Sequence, residues 1–222
     1  MKVAIVRFLG TNCDFDCKYA CDTLGIKSEF VFYTQIDLNG FDTVILPGGF
    51  SYGDYLRSGA LAKFSPVMDS VRELAKKGYP VIGICNGFQI LIESGLLKGA
   101  LLKNKTLRFI HKDVYLKVEK SRCYFTKNIK SESVLKMPIA HAEGNYFCSD
   151  DYLKYLLDND MIVLRYASKN GHINDTYNPN GSVYNIAGIC NENGNVFGLM
   201  PHPERVVGDL GRDGEIIFKH LL

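Results

Sequence analysis

Four short runs of apolar, mostly β-branched residues, at 3–6, 30–33, 43–46 and 81–84, punctuate the first 95 residues of the chain. Runs this short and this continuously apolar read as strands buried on both faces. Helix signals fall between them. One helix is expected over 13–24, with Asn12 or Asp14 as its cap and Gly25 as its stop. A second opens at Ser65-Pro66, with Ser65 as cap and proline at the first helical position, runs through Val67, Val71 and Leu74, and ends at Gly78. A third covers 86–93, with Gly95 behind it. Strand and helix therefore alternate, which predicts an α/β fold: a mostly parallel sheet with helices on both faces. Sites in such sheets lie at the carboxyl ends of strands. The loops after Leu46 and after Ile84 are the first places to look.

The middle of the chain follows a different rule. Val114, Leu116 and Val118 alternate with polar residues, the pattern of a half-exposed antiparallel strand. Further strands are expected near 137–140, 161–167 and 182–190, and a last one over 196–200 that Pro201 stops. A short helix over 150–157 sits behind a Ser149 cap, 172–181 is a polar loop, and 212–222 is a closing helix. The expected architecture is thus an antiparallel β extension in the middle of the chain, within a single domain covering 1–222.

Charge and composition exclude several function classes. With 26 Lys plus Arg against 24 Asp plus Glu, the net charge is only +2, too weak to drive binding to nucleic acid or to a membrane surface. No apolar run approaches a membrane span, and the apolar stretch at 3–6 is too short for a signal-peptide core. The expected location is the cytosol. Seven cysteines, an odd number, then read as reduced thiols. Cys13, Cys17 and Cys21 recur along one helix face, but metal motifs use tighter spacing and a fourth ligand, so they read as packing residues and no metal is expected. Residues 98–130 hold ten Lys/Arg and two Asp/Glu, a local charge of +8 that reads as a solvated hairpin face rather than a dock for an acidic partner.

Three segments carry chemistry. In VIGICNGFQ at 81–89, a strand ends in Gly83-Ile84-Cys85-Asn86-Gly87 and a helix follows at once. This is the thiol counterpart of a nucleophile elbow. Cys85 would stand at a helix N-terminus, where free N–H groups favour a thiolate, and the Asn86 N–H would face an oxyanion. In Pro201-His202-Pro203-Glu204, a base and an orienting acid lie two residues apart behind the last strand. In Pro47-Gly48-Gly49-Phe50, a glycine turn at a strand end offers a second oxyanion donor. His-Pro-Glu and the glycine turn say little alone. Together with a cysteine elbow they describe a Cys-His-Glu hydrolytic site.

These segments resemble the class I glutamine amidotransferases. PGGFSYGDYLR at 47–57, GICNGFQ at 83–89, PIAHAEGNY at 138–146 and MPHPER at 200–205 narrow the resemblance to the glutaminase subunits of phosphoribosylformylglycinamidine synthase, in their separate-chain form. The resemblance implies a flavodoxin-like sheet, with Cys85 as nucleophile, His202 as base and Glu204 as its orienter. It places the oxyanion and substrate contacts at Gly48, Gly49, Phe50 and Asn86. It makes Gln89 a residue that helps hold glutamine and His141 part of the pocket wall. It implies three partners: L-glutamine, a large ATP-dependent synthetase subunit and a small accessory subunit. ATP and Mg are then expected on the synthetase and no cofactor in this chain, where no G-x-x-x-x-G-K-[ST] loop occurs. The chain departs from the family pattern at Ala142 and Asn145, and at Leu9-Gly10-Thr11 ahead of Asn12-Cys13. Two other readings use the same cysteine: a stand-alone thiol hydrolase of γ-glutamyl type, and a non-enzymatic redox-thiol binding module. The second has no need of His202 and Glu204.

Overall fold

A computed structural model describes residues 1–221. Five segments of the chain share one parallel arrangement: β1 (Lys2–Arg7), β2 (Lys27–Phe32), β3 (Thr43–Leu46), β4 (Val81–Ile84) and, from far along the sequence, β11 (Val196–Leu199). The remaining strands are β5 (Ala100–Leu102), β6 (Ile110–Val118), β7 (Val134–His141), β8 (Asn145–Phe147), β9 (Ile162–Ala167) and β10 (Ile186–Cys190). Nine of them form one sheet in the order β2-β1-β3-β4-β11-β10-β9-β6-β7, and β5 pairs with β8 separately. Pairing is parallel from β2 to β11 and antiparallel from β11 to β7. The expected antiparallel extension is therefore continuous with the parallel half, joined through β11.

Residue chemistry accounts for the two halves. Every residue of β3, β4 and β11 is buried, as strands covered on both faces require. In β6, Val114, Leu116 and Val118 are buried and their neighbours are not, which is the alternation the sequence carries. The helices are α1 (Asp14–Thr23), α2 (Val67–Lys76), α3 (Asn86–Glu93), α4 (Asp150–Asp158) and α5 (Glu215–Phe218). Helix α2 buries Val67, Val71 and Leu74, and α4 is capped as expected, the Ser149 hydroxyl accepting from the Tyr152 N–H at 3.3 Å.

Several boundaries differ from the sequence reading, each for a physical reason. The α1 cap is Cys13, without a side-chain cap bond, because the Asn12 side chain accepts from the Cys13 thiol and Asp14 pairs with Arg7. Ser65 does not cap α2, since its hydroxyl is engaged by the Tyr52 hydroxyl at 2.8 Å and Pro66 holds the cap position. Strand β2 starts at Lys27, earlier than expected, because backbone pairing with β1 runs from Lys2↔Lys27 to Arg7↔Phe32 whatever the side chains. Strand β10 starts only at Ile186, since Tyr184 and Asn185 adopt φ of 53° and 58° and break the extended backbone. The closing helix is shorter than expected, four residues of α5 and then a 3₁₀ turn, and its expected end at Leu222 lies outside the described residues. The basic stretch is partly neutralised at the surface, where Lys117 meets Glu132 and Lys120 meets Asp160.

Candidate active site

Three strand ends meet at the carboxyl edge of the parallel half. Cys85 joins β4 to α3 with φ 50° and ψ −104°, a conformation sterically costly for a residue with a side chain. The turn is possible because its flanks lack Cβ atoms: one at Gly87 would lie 1.9 Å from the Leu46 carbonyl oxygen, so β3 and α3 touch there backbone to backbone. Cys85 is 5 % exposed, and its thiol donates to the Ala140 carbonyl at 3.6 Å.

His202 follows β11, and its N–H donates to the Pro138 carbonyl at 2.9 Å, which binds this loop to β7. Its Nδ1 lies 2.6 Å from Glu204 Oε1, and both side chains are about 1 % exposed. That bond assigns the proton to Nδ1 and leaves Nε2 buried without a hydrogen-bond partner in the protein. Burial pulls the imidazole pKa down. The negative charge of Glu204, the Cys85 sulfur and the Cys13 thiol together outweigh burial and hold it well above the ordinary 6.5.

The Gly48–Gly49 peptide is pinned from outside the site. The Gly48 carbonyl accepts from the N–H groups of Asn12 at 3.4 Å and Cys13 at 3.2 Å. In a trans peptide this turns the Gly49 N–H the opposite way, away from α1. Gly49 lines a cleft with Phe50, Cys85, Gln89, Ala140 and His141. The Phe50 N–H is not a free donor, since it serves the Gly10 carbonyl at 3.0 Å. Asn86 and Gln89 form a chain: Asn86 Oδ1 accepts from the Ser51 N–H at 3.1 Å, its Nδ2 donates to Gln89 Oε1 at 2.9 Å, and Gln89 Nε2 donates to the Glu143 carbonyl at 2.6 Å. Both side chains thus brace the cleft wall.

A model of the CobB/CobQ-like glutamine amidotransferase domain matches residues 1–212. The chain belongs to this family. It is 49 % identical over 224 residues to the phosphoribosylformylglycinamidine synthase subunit PurQ of Chlorobium luteolum, covering 100 % of this chain and 97 % of that one. It is 53 % identical over 210 residues to the protein of the same name from Thermus thermophilus, covering 95 % and 92 %. Among solved structures it is similar to PurLQS from Thermotoga maritima, at 42 % identity and a TM-score of 0.87, over 99 % of this chain and 96 % of that chain.

Other residues of this amidotransferase reach the site without a sequence signal. Asn104 is fully buried, and its Nδ2 donates to the carbonyls of Arg108 at 2.9 Å and His141 at 2.8 Å. Its Oδ1 must then be the acceptor, taking the Gly144 N–H at 3.1 Å and the His141 Nδ1–H at 3.0 Å. Cys13, read from sequence as a packing residue, accepts from Arg205 Nη2 at 3.2 Å and lies against the Gly48 turn. Arg205 is held in turn by Asp16 at 3.1 Å. Cys13, His202 and Glu204 bring ligand-type atoms within 4.8 Å of one another. The adjacent Arg205 cation and the existing His202–Glu204 bond make this trio a poor seat for a metal ion. Cys17 and Cys21 lie in the core, where burial pushes both thiols up, Cys21 to about 11.

His141 makes the fold less stable toward acid pH. Burial, with the His202 charge adding, lowers its pKa from 6.5 to about 4. Between those values the unfolded chain binds a proton that the folded chain refuses. Its contribution is therefore complete above pH 6.5 and is lost as pH falls toward 4, about 3 kcal/mol in all. Denaturant unfolding at pH 7 and pH 4 is expected to give His141→Gln a shallower loss of stability than the wild type by roughly that amount. Parallel losses in the two proteins would contradict it.

Proposed function

We propose that this chain is the glutaminase subunit of a phosphoribosylformylglycinamidine synthase in purine biosynthesis. It hydrolyses L-glutamine and passes ammonia to an ATP-dependent synthetase subunit, which converts formylglycinamide ribonucleotide to the amidine. One observation carries the reading: a strained cysteine at the β4–α3 junction shares a site with a buried His–Glu pair, in a chain about half identical to PurQ proteins along nearly its whole length.

In this reading Cys85 is the nucleophile, and its thiolate attacks the side-chain carbonyl carbon of glutamine. The oxyanion that forms takes hydrogen bonds from the N–H groups of Gly49 and Asn86, the latter left free as the first N–H of α3. His202 Nε2 delivers a proton to the departing nitrogen, and ammonia leaves. The same nitrogen then takes a proton from water, which cleaves the glutamyl thioester and releases glutamate. Glu204 holds the ring in the required tautomer and stabilises the imidazolium. ATP and Mg belong to the synthetase. Similarity to the PurLQS structure supports two partner subunits, a large synthetase and a small accessory chain. All seven cysteines are free thiols, which suits the reducing cytosol.

The test is a glutaminase assay on the purified chain alone and again with its synthetase partner, captured from the native cell extract. Turnover that is negligible alone and rises on adding the synthetase is expected. Full turnover without a partner favours the stand-alone γ-glutamyl hydrolase reading instead.

A further inference from the structure

The Arg205 guanidinium gives one of its hydrogen bonds to a poor partner. Its Nε donates to Asp16 Oδ2 at 3.1 Å, but its Nη2 donates to the Cys13 sulfur at 3.2 Å. Sulfur is a weak acceptor, whereas a carboxylate takes an arginine fork in two strong bonds. An open carboxylate oxygen is at hand in the next residue: Glu204 Oε2 is buried and has no hydrogen-bond partner in the protein. Cys13 Sγ lies within 4.8 Å of a Glu204 oxygen and of a His202 nitrogen. The sulfur thus neighbours both the guanidinium and the carboxylate, yet among the described residues the ion pair of Arg205 is with Asp16 and not with Glu204.

The restraints on Arg205 belong to the frame of the fold. Asp16 stands in the first turn of α1, and the Cys13 cap of that helix donates its N–H to the Gly48 carbonyl at 3.2 Å. Glycine at 48 lets the sulfur and the imidazole share one space: a Cβ there would lie 3.1 Å from Cys13 Sγ and 2.9 Å from His202 Cε1. Separation matters because Glu204 has a single charge to give. An arginine fork on Glu204 would neutralise it and loosen its hold on the imidazolium. The ionisable groups that face the His202–Glu204 pair are Cys85 from the β4–α3 turn, His141 from β7, Cys13 and Cys17 from the α1 side, and Arg205 itself, with Asp16 behind it. Of these, the guanidinium is the permanent cation.

We propose that Asp16 and Cys13 hold the Arg205 guanidinium away from Glu204, so that the Glu204 carboxylate keeps its full charge for His202. The consequence for turnover rests on the glutaminase reading; the consequence for His202 rests on the geometry alone. Asp16, Cys13 and Arg205 are positioning residues, and none of them lines the cleft beside Cys85. With either restraint removed, Arg205 swings onto the open Glu204 oxygen. The imidazolium then loses the charge that supports it and gives up its proton at lower pH.

The experiment has two readouts. One is an NMR titration of the His202 imidazole in the full chain, its signals identified by their absence in His202→Asn. The other is the pH profile of kcat/KM for glutamine in the complex with the synthetase partner. Cys13→Ala removes an acceptor without changing a charge, and Asp16→Asn alters a half-exposed side chain that the core does not need. Each is expected to lower the His202 pKa, and the alkaline limb of the profile with it, by about one pH unit. Adding Arg205→Met to either is expected to bring both back to within about 0.3 pH units of wild type, since no guanidinium is left to swing. An unmoved His202 pKa in either single variant overturns the proposal. So does a shift that persists after Arg205→Met, the mark of a direct or merely structural effect of the first substitution. A wild-type complex inert toward glutamine overturns the glutaminase reading, while the titration still decides what restrains Arg205.

Discussion

Cys85→Ser is expected to lower glutamine-dependent synthesis by roughly 10⁴- to 10⁶-fold while ammonia-dependent synthesis by the assembled enzyme continues at the wild-type rate. The serine hydroxyl fits the space of the thiol and tolerates the same backbone, so the turn at φ 50° is retained. What is lost is ionisation. A hydroxyl does not become an anion beside an imidazole at neutral pH, and the helix N-terminus that favours a thiolate has no comparable hold on it. Ammonia supplied in solution bypasses this subunit's chemistry, so the second assay checks that the complex is intact. Survival of both activities would remove Cys85 from the mechanism.

The second large effect lies at the His–Glu pair. His202→Asn is expected to slow glutamine turnover by several orders of magnitude, because both proton transfers lose their carrier. Glu204→Gln is expected to cost less, roughly 10²- to 10⁴-fold, and to shift the pH profile toward acid. In the wild type the Glu204 charge is the largest influence raising the imidazole pKa against burial. With a neutral amide at 204 that support is gone, so the imidazolium gives up its proton at lower pH. The alkaline limb of the kcat/KM profile, which reports loss of the general acid, should move to lower pH. An unmoved limb would mean that another group sets it, and wild-type rates in His202→Asn would exclude the imidazole.

The parts of this site that can be read from sequence are those whose geometry is local. Cys85 between Gly83 and Gly87 is a strand–turn–helix crossing written in consecutive residues, and His202 and Glu204 stand close enough to meet by themselves. The β3 turn at Gly48-Gly49 is equally local. Asn104 and Cys13 are different. Asn104 meets His141 across 37 residues, and Arg205 meets Cys13 across 192, so nothing in either neighbourhood announces the contact. Composition misleads in the same way at α1, where evenly spaced cysteines read as packing. That holds for Cys17 and Cys21 but not for Cys13, whose sulfur faces the Arg205 guanidinium. Strands β1, β3, β4 and β11 were legible because buried strands are uniformly apolar, whereas β2, at the edge of the sheet, mixes polar and apolar residues and its start was not. Three-residue strands such as β5 and β8 carry too little pattern to be seen, and the start of β10 turns on two left-handed residues that no periodicity encodes.

The backbone at position 85 would rest most easily with glycine, the one residue that pays no steric penalty at that dihedral. Any substitution that relaxed the turn would also delete the sulfur. Comfort of the chain and reactivity of the protein are opposed at a single atom. A search for heat-resistant variants of this fold would therefore be drawn toward its own inactivation at this one position.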